Sequence, residues 1–559
     1  MTGRSPTDAR PTPTTPLDPV ADAASCTATF RHLTPLERQA DGTFLVRIVP
    51  AAISVHQWFD EQRLRTPAWT FEGEMPGKLI EVRMGDEICV RYVNHVPRDA
   101  PAPFEAHFDG SAPVPEHTHG HMQHGAWIAG GLTPGFVVHL HGAVVPPQYD
   151  GNPGVTPPTM FGETYECVYG NRQRPALLWY HDHSMPQTAG TVYAGLAAPY
   201  VIRGDVEDGL AAAHGLPRGE RELFLILQDK SFERDDADRL TGRFTYHVEP
   251  NKEWAGDHLL TNGRLRPVLQ VEQQPYRVRI LNATNGRFLK LYLRRGDDNA
   301  TITVAPITWI GADGGLLPAA MPADPRQGVF LGSANRADLV VDFGELEPGV
   351  WKLVSRVFKS KEPYNTGDRD ETPAADVDVI MQFHVMPSVH PHAPFTPPAR
   401  LSDDAASRDE VLSMVAAGHI APRDVDMDLT EVEGPPLLQL INGRGFHEPI
   451  DPSRERFRAG EWIRLRIRND TNDAHPIHLH VVTFWVEGRT QSAFTPTQET
   501  GLLDTVWCPP GRGGAVTTIL VRLPADPALT GRYMFHCHIL EHEDHDMMRP
   551  FDIVWDPAP

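Results

Sequence analysis

The stretch MPGKLIEVRMGDEICVRYVNHV, residues 75–96, decides the fold of this 559-residue chain because related stretches occur twice more. They are TNGRLRPVLQVEQQPYRVRILNAT at 261–284 and INGRGFHEPIDPSRERFRAGEWIRLRIRNDT at 441–471. Each copy begins at a glycine turn, runs through one strand, turns again and continues as an alternating apolar and polar strand. Such a unit predicts a hairpin with one face on a core and the other in solvent. Three copies predict three related β-sandwich domains.

The composition favours an all-β protein. The 53 prolines and 46 glycines separate short stretches rich in Val, Ile, Leu and Thr, a pattern typical of many strands with frequent turns. Helices are expected to be few and short, and EVLSMVAAG at 410–418 is one candidate. The net charge of -22 argues against nucleic acid or an anionic membrane as a partner, since both repel an acidic surface. Small molecules are the expected partners.

Loop composition predicts where the domains begin and end. Residues 1–39 form a tail rich in Pro, Thr and Ala that we expect to be disordered. The domains are predicted at 40–204, 205–388 and 431–559, with a Pro-rich, helix-prone connector at 389–430. The first 25 residues contain no visible export signal, so a cytoplasmic location is expected. A coat-associated or exported location stays open.

The cysteine content does not predict a disulfide scaffold. Five cysteines are too few and too scattered for one in a chain of this length: Cys26, Cys89, Cys167, Cys508 and Cys537. One or two structural bridges among the first four stay open.

The strongest sign of chemistry is YMFHCHILEHEDHDMM at 533–548. Successive side chains of a strand point to opposite faces, so Cys537 faces one way and its neighbours His536 and His538 face the other. His542 and Met547 lie near enough in sequence to fold back to the cysteine side. A thiolate, two imidazoles and a weak axial thioether form the ligand set of a blue-copper site, so one more histidine is needed.

Three other histidine strings supply the remaining imidazoles. In HPIHLH at 475–480, His478 and His480 share a face while His475, before a proline, can supply the missing ligand. HLHG at 139–142 and WYHDH at 179–183 add His139 with His141 and His181 with His183. Imidazole alone does not choose between copper, iron, nickel and zinc, but the set around Cys537 favours copper. The four His-x-His pairs therefore predict eight imidazoles beside a blue-copper site.

HLHG, WYHDH, HPIHLH and HCHILEHEDHDM resemble the copper-binding signatures of multicopper oxidases. The likeness is strong with the bacterial spore-coat laccase branch, which includes bilirubin-oxidase-like and phenoxazinone-synthase-like enzymes, and it covers roughly residues 40–559. It implies three cupredoxin-like, Greek-key domains and four copper ions: one type 1, one type 2 and two type 3. It also implies one-electron oxidation of small aromatic donors, coupled to the four-electron reduction of O2 to water.

The resemblance further implies a ligand for every copper position. The type 1 copper takes His475, Cys537 and His542 with Met547 axial, and the type 2 copper takes His139 and His478. One type 3 copper takes His141, His181 and His536, and the other takes His183, His480 and His538. The neighbouring Met548 is expected to pack rather than bind.

Two acidic residues are candidates for catalysis. Glu543 directly follows a ligand, and Asp150 matches an acidic position of the family. Because water formation consumes protons, both are expected to deliver them to the oxygen-reducing site. The alternative is that both carboxylates only orient histidine ligands through hydrogen bonds.

Other interpretations stay open. A cuprous-ion oxidase for copper tolerance commonly carries a Met-rich segment near the type 1 site, whereas the 14 methionines are dispersed here. Phenolic or aminophenolic donors are therefore favoured. A structural or copper-sequestering coat protein would not need a complete route for electrons to oxygen. The Gly-rich loop with His117, His119, His121 and His124 is expected to be solvated, with an accessory copper site as the alternative.

Overall fold

The computed structural model describes residues 28–108, 132–248, 253–296, 302–356, 378–389, 393–404, 406–432, 438–490, 494–511 and 514–555. Most of the predicted N-terminal tail, Cys26 and the histidine loop at 117–124 therefore lie outside the described residues. The described ranges contain 33 strands and six short α-helices, so the all-β prediction is confirmed. Among these helices, none is long and apolar enough to cross a membrane.

The first part of the chain forms two four-stranded sheets. Its strands are β1 (Phe44–Ile53), β2 (Thr66–Phe71), β3 (Ile80–Arg83), β4 (Ile88–Asn94), β5 (Phe104–Phe108), β6 (Val138–His141), β7 (Thr164–Tyr169), β8 (Ala176–Asp182) and β9 (Ala197–Arg203). One sheet has the order β2-β1-β4-β7 and the other β3-β9-β8-β6. The helices are α1 (Gln57–Glu61), α2 (Pro147–Asp150) and α3 (Thr188–Ala194).

The middle part begins with α4 (Asp205–His214) and continues through fourteen strands. They are β10 (Glu222–Arg234), β11 (Leu240–Val248), β12 (His258–Thr261), β13 (Arg264–Leu265), β14 (Val268–Glu272), β15 (Pro275–Asn282), β16 (Leu289–Arg295), β17 (Ile302–Thr303), β18 (Ile307–Ala312), β19 (Gly315–Pro322), β20 (Val329–Leu331), β21 (Arg336–Asp342), β22 (Gly349–Ser355) and β23 (Asp378–Met386). One sheet runs β13-β12-β10-β15-β21-β18-β19 and the other β14-β23-β22-β16-β17, with β20 paired to β16. The strand β11 pairs with β10 and, across the first predicted domain boundary, with β5.

The last part contains two five-stranded sheets. Its elements are α5 (Arg408–Ala416), β24 (Arg423–Val432), β25 (Leu438–Ile441), β26 (Arg456–Arg458), β27 (Trp462–Asn469), β28 (His475–Leu479), β29 (Phe484–Arg489), β30 (Thr505–Cys508), β31 (Ala515–Arg522), β32 (Gly531–Cys537), α6 (Leu540–Asp544) and β33 (Met548–Val554). The sheets run β25-β24-β27-β31-β29 and β26-β33-β32-β28-β30. The strand β24 lies partly in the segment predicted as connector, so this pair of sheets begins earlier than the predicted residue 431.

The same strand pairings occur in all three parts. The long strand of each repeated stretch pairs in parallel with the first sheet strand of its part, as in β1 with β4, β10 with β15 and β24 with β27. The short strand pairs in parallel with the last, as in β3 with β9, β14 with β23 and β26 with β33. These shared pairings show that the three parts are related β-sandwiches, as the repeats predict.

The predicted hairpin within each repeated stretch is wrong. The short and long strands do not pair with each other, because β3 and β4, β14 and β15, and β26 and β27 lie in different sheets. The chain therefore crosses from one sheet of the sandwich to the other at the turn between them. The alternation of buried and half-buried residues along β4 and β27 shows which face meets the core, but alternation does not specify the partner strand.

The histidine-bearing strands are covered on both faces. All residues of β6, β8 and β28 are buried, as are the last five of β32.

The helix predicted near residues 410–418 is found as α5. It begins at a capping box in which Ser407 and Glu410 bind each other's backbone N–H groups. The four described cysteines, at 89, 167, 508 and 537, are free thiols.

Candidate metal centres

Eight histidines from four strands form one buried cluster between the first and third sandwiches. In the first sandwich His139 of β6 lies opposite His181 of β8, and in the third His478 of β28 lies opposite His536 of β32. Histidine rings of the two sandwiches stack on each other at the interface between them. The ring centroids of His139 and His480 are 4.0 Å apart, and those of His141 and His478 are 3.7 Å apart. All eight side chains are at most 1% exposed. The structure thus brings together every histidine predicted for the oxygen-reducing site.

The donor atoms of this cluster fit a group of metal ions. Several ring nitrogens have no hydrogen-bond partner within the described part of the chain: Nε2 of His139, His181, His183, His478 and His538, and Nδ1 of His141. Buried polar atoms are nearly always paired in proteins, so these nitrogens indicate positions for metal ions. Ligand atoms of His139, His141 and His181, and of His183, His480 and His536, lie within 4.8 Å of one another.

Backbone carbonyls hold the opposite ring nitrogens. The Nδ1–H of His139 donates to Asp150 O over 2.6 Å, and that of His478 donates to Asp504 O over 2.9 Å. The Nδ1 atoms of His181 and His536 lie 2.8 and 3.0 Å from the carbonyl oxygens of Asp182 and Cys537. Fixing one nitrogen in this way selects the tautomer and leaves the other nitrogen as a ligand.

Burial keeps most of the imidazoles neutral. Burial, helped by neighbouring imidazoles, holds the pKa well below the usual value in five of them: His139, His141, His478, His480 and His538. The pKa of His181 is lowered to about 3 for the same reasons. Neutral imidazole is the form that binds metal ions. His183 differs, because the Glu543 carboxylate outweighs burial and raises its pKa.

The predicted division of ligands between the two type 3 positions is wrong for the histidines that flank Cys537. His536 lies with His183 and His480, since its Nε2 is 3.3 Å from His480 Nε2 and its ring 4.9 Å from that of His183. His538 lies with His141 and His181, at ring distances of 5.0 and 5.5 Å. Strand alternation places both histidines on one face, but only the packing of the first sandwich on the third decides which of them meets which strand.

A second ligand set lies on the opposite face of β32. The Sγ atom of Cys537 is 3.4 Å from His475 Nδ1 and 3.7 Å from His542 Nδ1, and these two nitrogens are 3.2 Å apart. All three side chains are buried. One thiol and two imidazoles converging in this way are the trigonal donor set of a blue-copper site.

The adjacent side chains of Met547 and Met548 lie in different hydrophobic clusters. Met547 belongs to the same hydrophobic cluster as Cys537, and its carbonyl accepts from the Cys537 N–H over 3.0 Å. Met548 packs with Phe446 and Met534 in a separate cluster. The backbone contact therefore places Met547 beside Cys537, whereas the Met548 side chain packs in a separate cluster.

The two predicted carboxylates contact histidines of the large cluster. Glu543 lies between His183 and His536, with its two oxygens 3.0 and 3.1 Å from their Nδ1 atoms. Asp150 accepts from His480 Nδ1 through its carboxylate over 2.8 Å, and burial raises its pKa. Both carboxylates are completely buried.

Two further acidic residues reach the ligands although no motif marks them. The carboxylate of Asp504 is 3.1 Å from His141 Nε2, and Glu253 contacts Nε2 of His542. Asp504 stands in LLDTVW and Glu253 in NKEW, neither of which the sequence reasoning used. An acidic residue in a short strand or loop carries no signal of its partner when that partner is hundreds of residues away.

Comparison with known proteins agrees with the geometry. Residues 53–126, 128–206 and 420–555 match multicopper oxidase domains. A laccase of Bacillus subtilis (strain 168) is 31% identical over 93% of this chain and 96% of its own length. This chain belongs to the multicopper oxidase family. A bilirubin oxidase of Albifimbria verrucaria is 30% identical to this multicopper oxidase, over 86% of the chain and 72% of its own.

Solved structures show the same fold. The multicopper oxidase McoA from the hyperthermophile Aquifex aeolicus superposes with a TM-score of 0.70 at 23% identity, covering 95% of this chain and 99% of its own. The three sandwiches of this multicopper oxidase are therefore cupredoxin-like, as the resemblance implies. Membership of the family also means that the protein binds copper ions.

Proposed function

We propose that this multicopper oxidase is laccase-like: it takes single electrons from small aromatic donors at the Cys537 site and reduces O2 at the eight-histidine site. The observation that carries the proposal is the strand segment His536–Cys537–His538, which presents one residue to the first site and its two neighbours to the second. Two buried ligand sets joined by a single stretch of backbone give electrons a covalent route between them.

The ligand sets are those of four copper ions. His475, Cys537, His542 and Met547 would hold the type 1 copper, and His139 with His478 would hold the type 2 copper. The type 3 sets are His141 with His181 and His538, and His183 with His480 and His536. Copper bound at these positions supplies one-electron redox chemistry and the reduction of O2.

Electrons enter beside His542 and Glu253. The His542 side chain is 2% exposed and that of Glu253 8% exposed, so the carboxylate covers the ring edge that carries Nε2. A donor that reaches this edge meets a hydrogen-bond acceptor. Donors with an O–H or N–H group on an aromatic ring, such as phenols and aminophenols, match that acceptor, and a laccase is among the relatives of this chain.

Protons enter beside Asp150 and Glu543. Each carboxylate touches a histidine of the oxygen-reducing cluster, so each is placed to deliver protons that the reduction of O2 to water would consume. Asp150 also accepts from the side-chain amide of Asn152 over 3.1 Å, which fixes the position of its carboxylate.

A donor panel tests this function. Copper-loaded enzyme would receive 2,6-dimethoxyphenol, o-aminophenol, bilirubin or Cu(I), while oxygen uptake and bound copper are measured. We expect uptake with the phenol or aminophenol and copper approaching four ions per chain. Faster uptake with Cu(I) than with every aromatic donor would favour a cuprous-ion oxidase, and bound copper without oxygen uptake would favour copper sequestration.

A further inference from the structure

Two aspartates bracket the eight-histidine cluster in the same way, one from each copper-bearing sandwich. Asp150 binds His139 Nδ1 through its carbonyl oxygen and His480 Nδ1 through its carboxylate. Asp504 binds His478 Nδ1 through its carbonyl oxygen, and its carboxylate lies 3.1 Å from His141 Nε2. Each aspartate therefore holds one proposed type 2 ligand and one proposed type 3 ligand.

The histidines held by the two aspartates stack in pairs. The rings of His139 and His480 are inclined by 19°, and those of His141 and His478 by 17°. At Asp504 the carboxylate holds Nε2 of one ring and the carbonyl holds Nδ1 of the other. This leaves Nδ1 of His141 and Nε2 of His478 without partners in the described part of the chain. Asp504 thus helps to set which nitrogen of each ring faces the metal positions, together with Thr505 Oγ1, which lies 3.4 Å from His141 Nε2 and 3.3 Å from His478 Nδ1.

The surroundings of the two aspartates differ, because among the residues that the structure describes only Asp504 is anchored by an arginine. Arg336, the first residue of β21, lies in the middle sandwich, which contributes none of the twelve proposed copper ligands. Its Nη1 donates to Asp504 Oδ1 over 2.8 Å, and its Nη2 donates to Oδ2. A bidentate pair of this kind fixes both position and orientation of the carboxylate.

Arg336 is in turn fixed by the backbone. Nε donates to Leu177 O over 3.0 Å, Nη1 to Ala334 O over 3.0 Å, and Nη2 to Asp313 O over 3.1 Å. With the two bonds to Asp504, all five guanidinium N–H donors are used. Leu177 belongs to β8, the strand that carries His181. The side chain therefore joins all three sandwiches at one buried point, 1% exposed.

We propose that Arg336 and Asp504 are positioning residues for the type 2 copper, through which the middle sandwich sets the ring orientations of His141 and His478. The proposal rests on the copper assignments of the proposed function. Partners that orient metal-bound histidines typically change metal affinity 10- to 100-fold when they are replaced. Because the Asp504 carboxylate also lies 3.7 Å from Nδ1 of the type 2 ligand His478, losing either residue should weaken copper binding at the type 2 position and leave the Cys537 site unchanged.

The test compares Asp504→Asn and Arg336→Lys with Arg277→Lys. Asp504→Asn keeps the size of the side chain and removes its charge, and Arg336→Lys keeps the charge and removes the bidentate fork. Arg277 is the matched control, since it is a completely buried arginine in the same sheet with a bidentate bond to Asp338 and no described contact with a copper ligand. Each copper-loaded protein is titrated with a copper chelator. Type 2 copper is followed by electron paramagnetic resonance, and type 1 copper by its thiolate absorption.

We expect the type 2 signal of Asp504→Asn and Arg336→Lys to disappear at about 10- to 100-fold lower chelator concentration than in the wild type. Their thiolate absorption should remain, and Arg277→Lys should follow the wild type in both signals. Wild-type retention of type 2 copper in both variants, or equal loss in Arg277→Lys, overturns the positioning role. A wild-type enzyme without a type 2 signal would instead overturn the copper assignments themselves.

Discussion

At the scale of single residues, the interior holds charged groups that do not serve the metal sites. Lys230 is 1% exposed, and its Nζ lies 3.9 Å from the centroid of the Tyr193 ring. Burial lowers its pKa to about 7, against the opposing effect of Asp229. Folding therefore favours the neutral amine, which is an unusual state for lysine at neutral pH.

Replacing this lysine should stabilise the protein in a pH-dependent way. In the unfolded chain lysine keeps its proton up to about pH 10.4, so between pH 7 and that value the unfolded state binds more protons. The unfavourable contribution of Lys230 is therefore complete below pH 7 and fades as pH rises. Lys230→Met should raise the free energy of unfolding by roughly 2–4 kcal/mol at pH 7, with a smaller gain at pH 10, as measured by urea denaturation. Lys230→Arg keeps the charge, and an equal gain from it would contradict this explanation.

The carboxylates beside the oxygen-reducing cluster give a second test at this scale. Asp150→Asn and Glu543→Gln remove groups that can release protons but keep side-chain size. We expect oxygen uptake to fall about 10- to 100-fold, while the thiolate absorption of the type 1 site is unchanged. Glu541→Gln is the matched control, because this buried carboxylate binds Tyr246 and Asn285 instead of a cluster histidine. Unchanged turnover in both variants would exclude a role in proton delivery.

At the scale of strands and helices, the sequence predicts on which face of a strand a side chain lies better than it predicts which other strand that face contacts. Alternation along β32 is enough to separate Cys537 from His536 and His538. It does not say which of these two histidines lies beside His183, because that depends on contacts between strands more than 300 residues apart in sequence. The contact of His141 with Asp504 spans 363 residues, and no local pattern records it. For the same reason the repeated stretches predict their strands correctly but not the crossing between sheets.

One buried carboxylate connects the two short helices beside the proposed copper ligands. Asp544, at the end of α6, accepts from the N–H groups of Thr188 and Ala189 at the start of α3 over 3.0 and 2.9 Å. Asp544→Ala leaves two buried donors unpaired, each at a cost of about 1–3 kcal/mol, so we expect a loss of about 2–6 kcal/mol in the free energy of unfolding. Ser407→Ala removes the exposed cap of α5 and should cost about 1 kcal/mol. Urea denaturation of both variants measures the difference, and an equal or smaller loss for Asp544→Ala would contradict the prediction.

At the scale of the whole molecule, the two candidate metal centres differ in whether their ligands come from one sandwich or from two. The eight-histidine cluster takes its ligands from the first and third sandwiches, whereas His475, Cys537 and His542 all belong to the third. Copper in the cluster therefore links parts of the chain that are far apart in sequence, and copper at the cysteine site does not. A metal that binds only the folded state stabilises it in proportion to its affinity.

Copper loading should therefore raise the thermal unfolding midpoint by different amounts in variants of the two sites. We expect copper to raise the thermal unfolding midpoint of the wild type and of Cys537→Ser, which keeps the histidine cluster. His480→Ala, which removes a cluster ligand, should lose most of this increase. Calorimetry of the three proteins with and without copper measures the effect. A larger loss in Cys537→Ser than in His480→Ala would contradict the proposed link between sandwiches.

The threefold repetition of the strand pairings has a practical consequence for redesign. The middle sandwich keeps all of these pairings without contributing any of the twelve proposed copper ligands, so its architecture does not depend on those ligands. Its outward faces are therefore suitable for attachment chemistry, such as tethering the enzyme to an electrode or to a carrier protein. The small region around Arg336 must keep its native residues, because there the scaffold and the oxygen-reducing site share a side chain, and so must Glu253, which contacts His542.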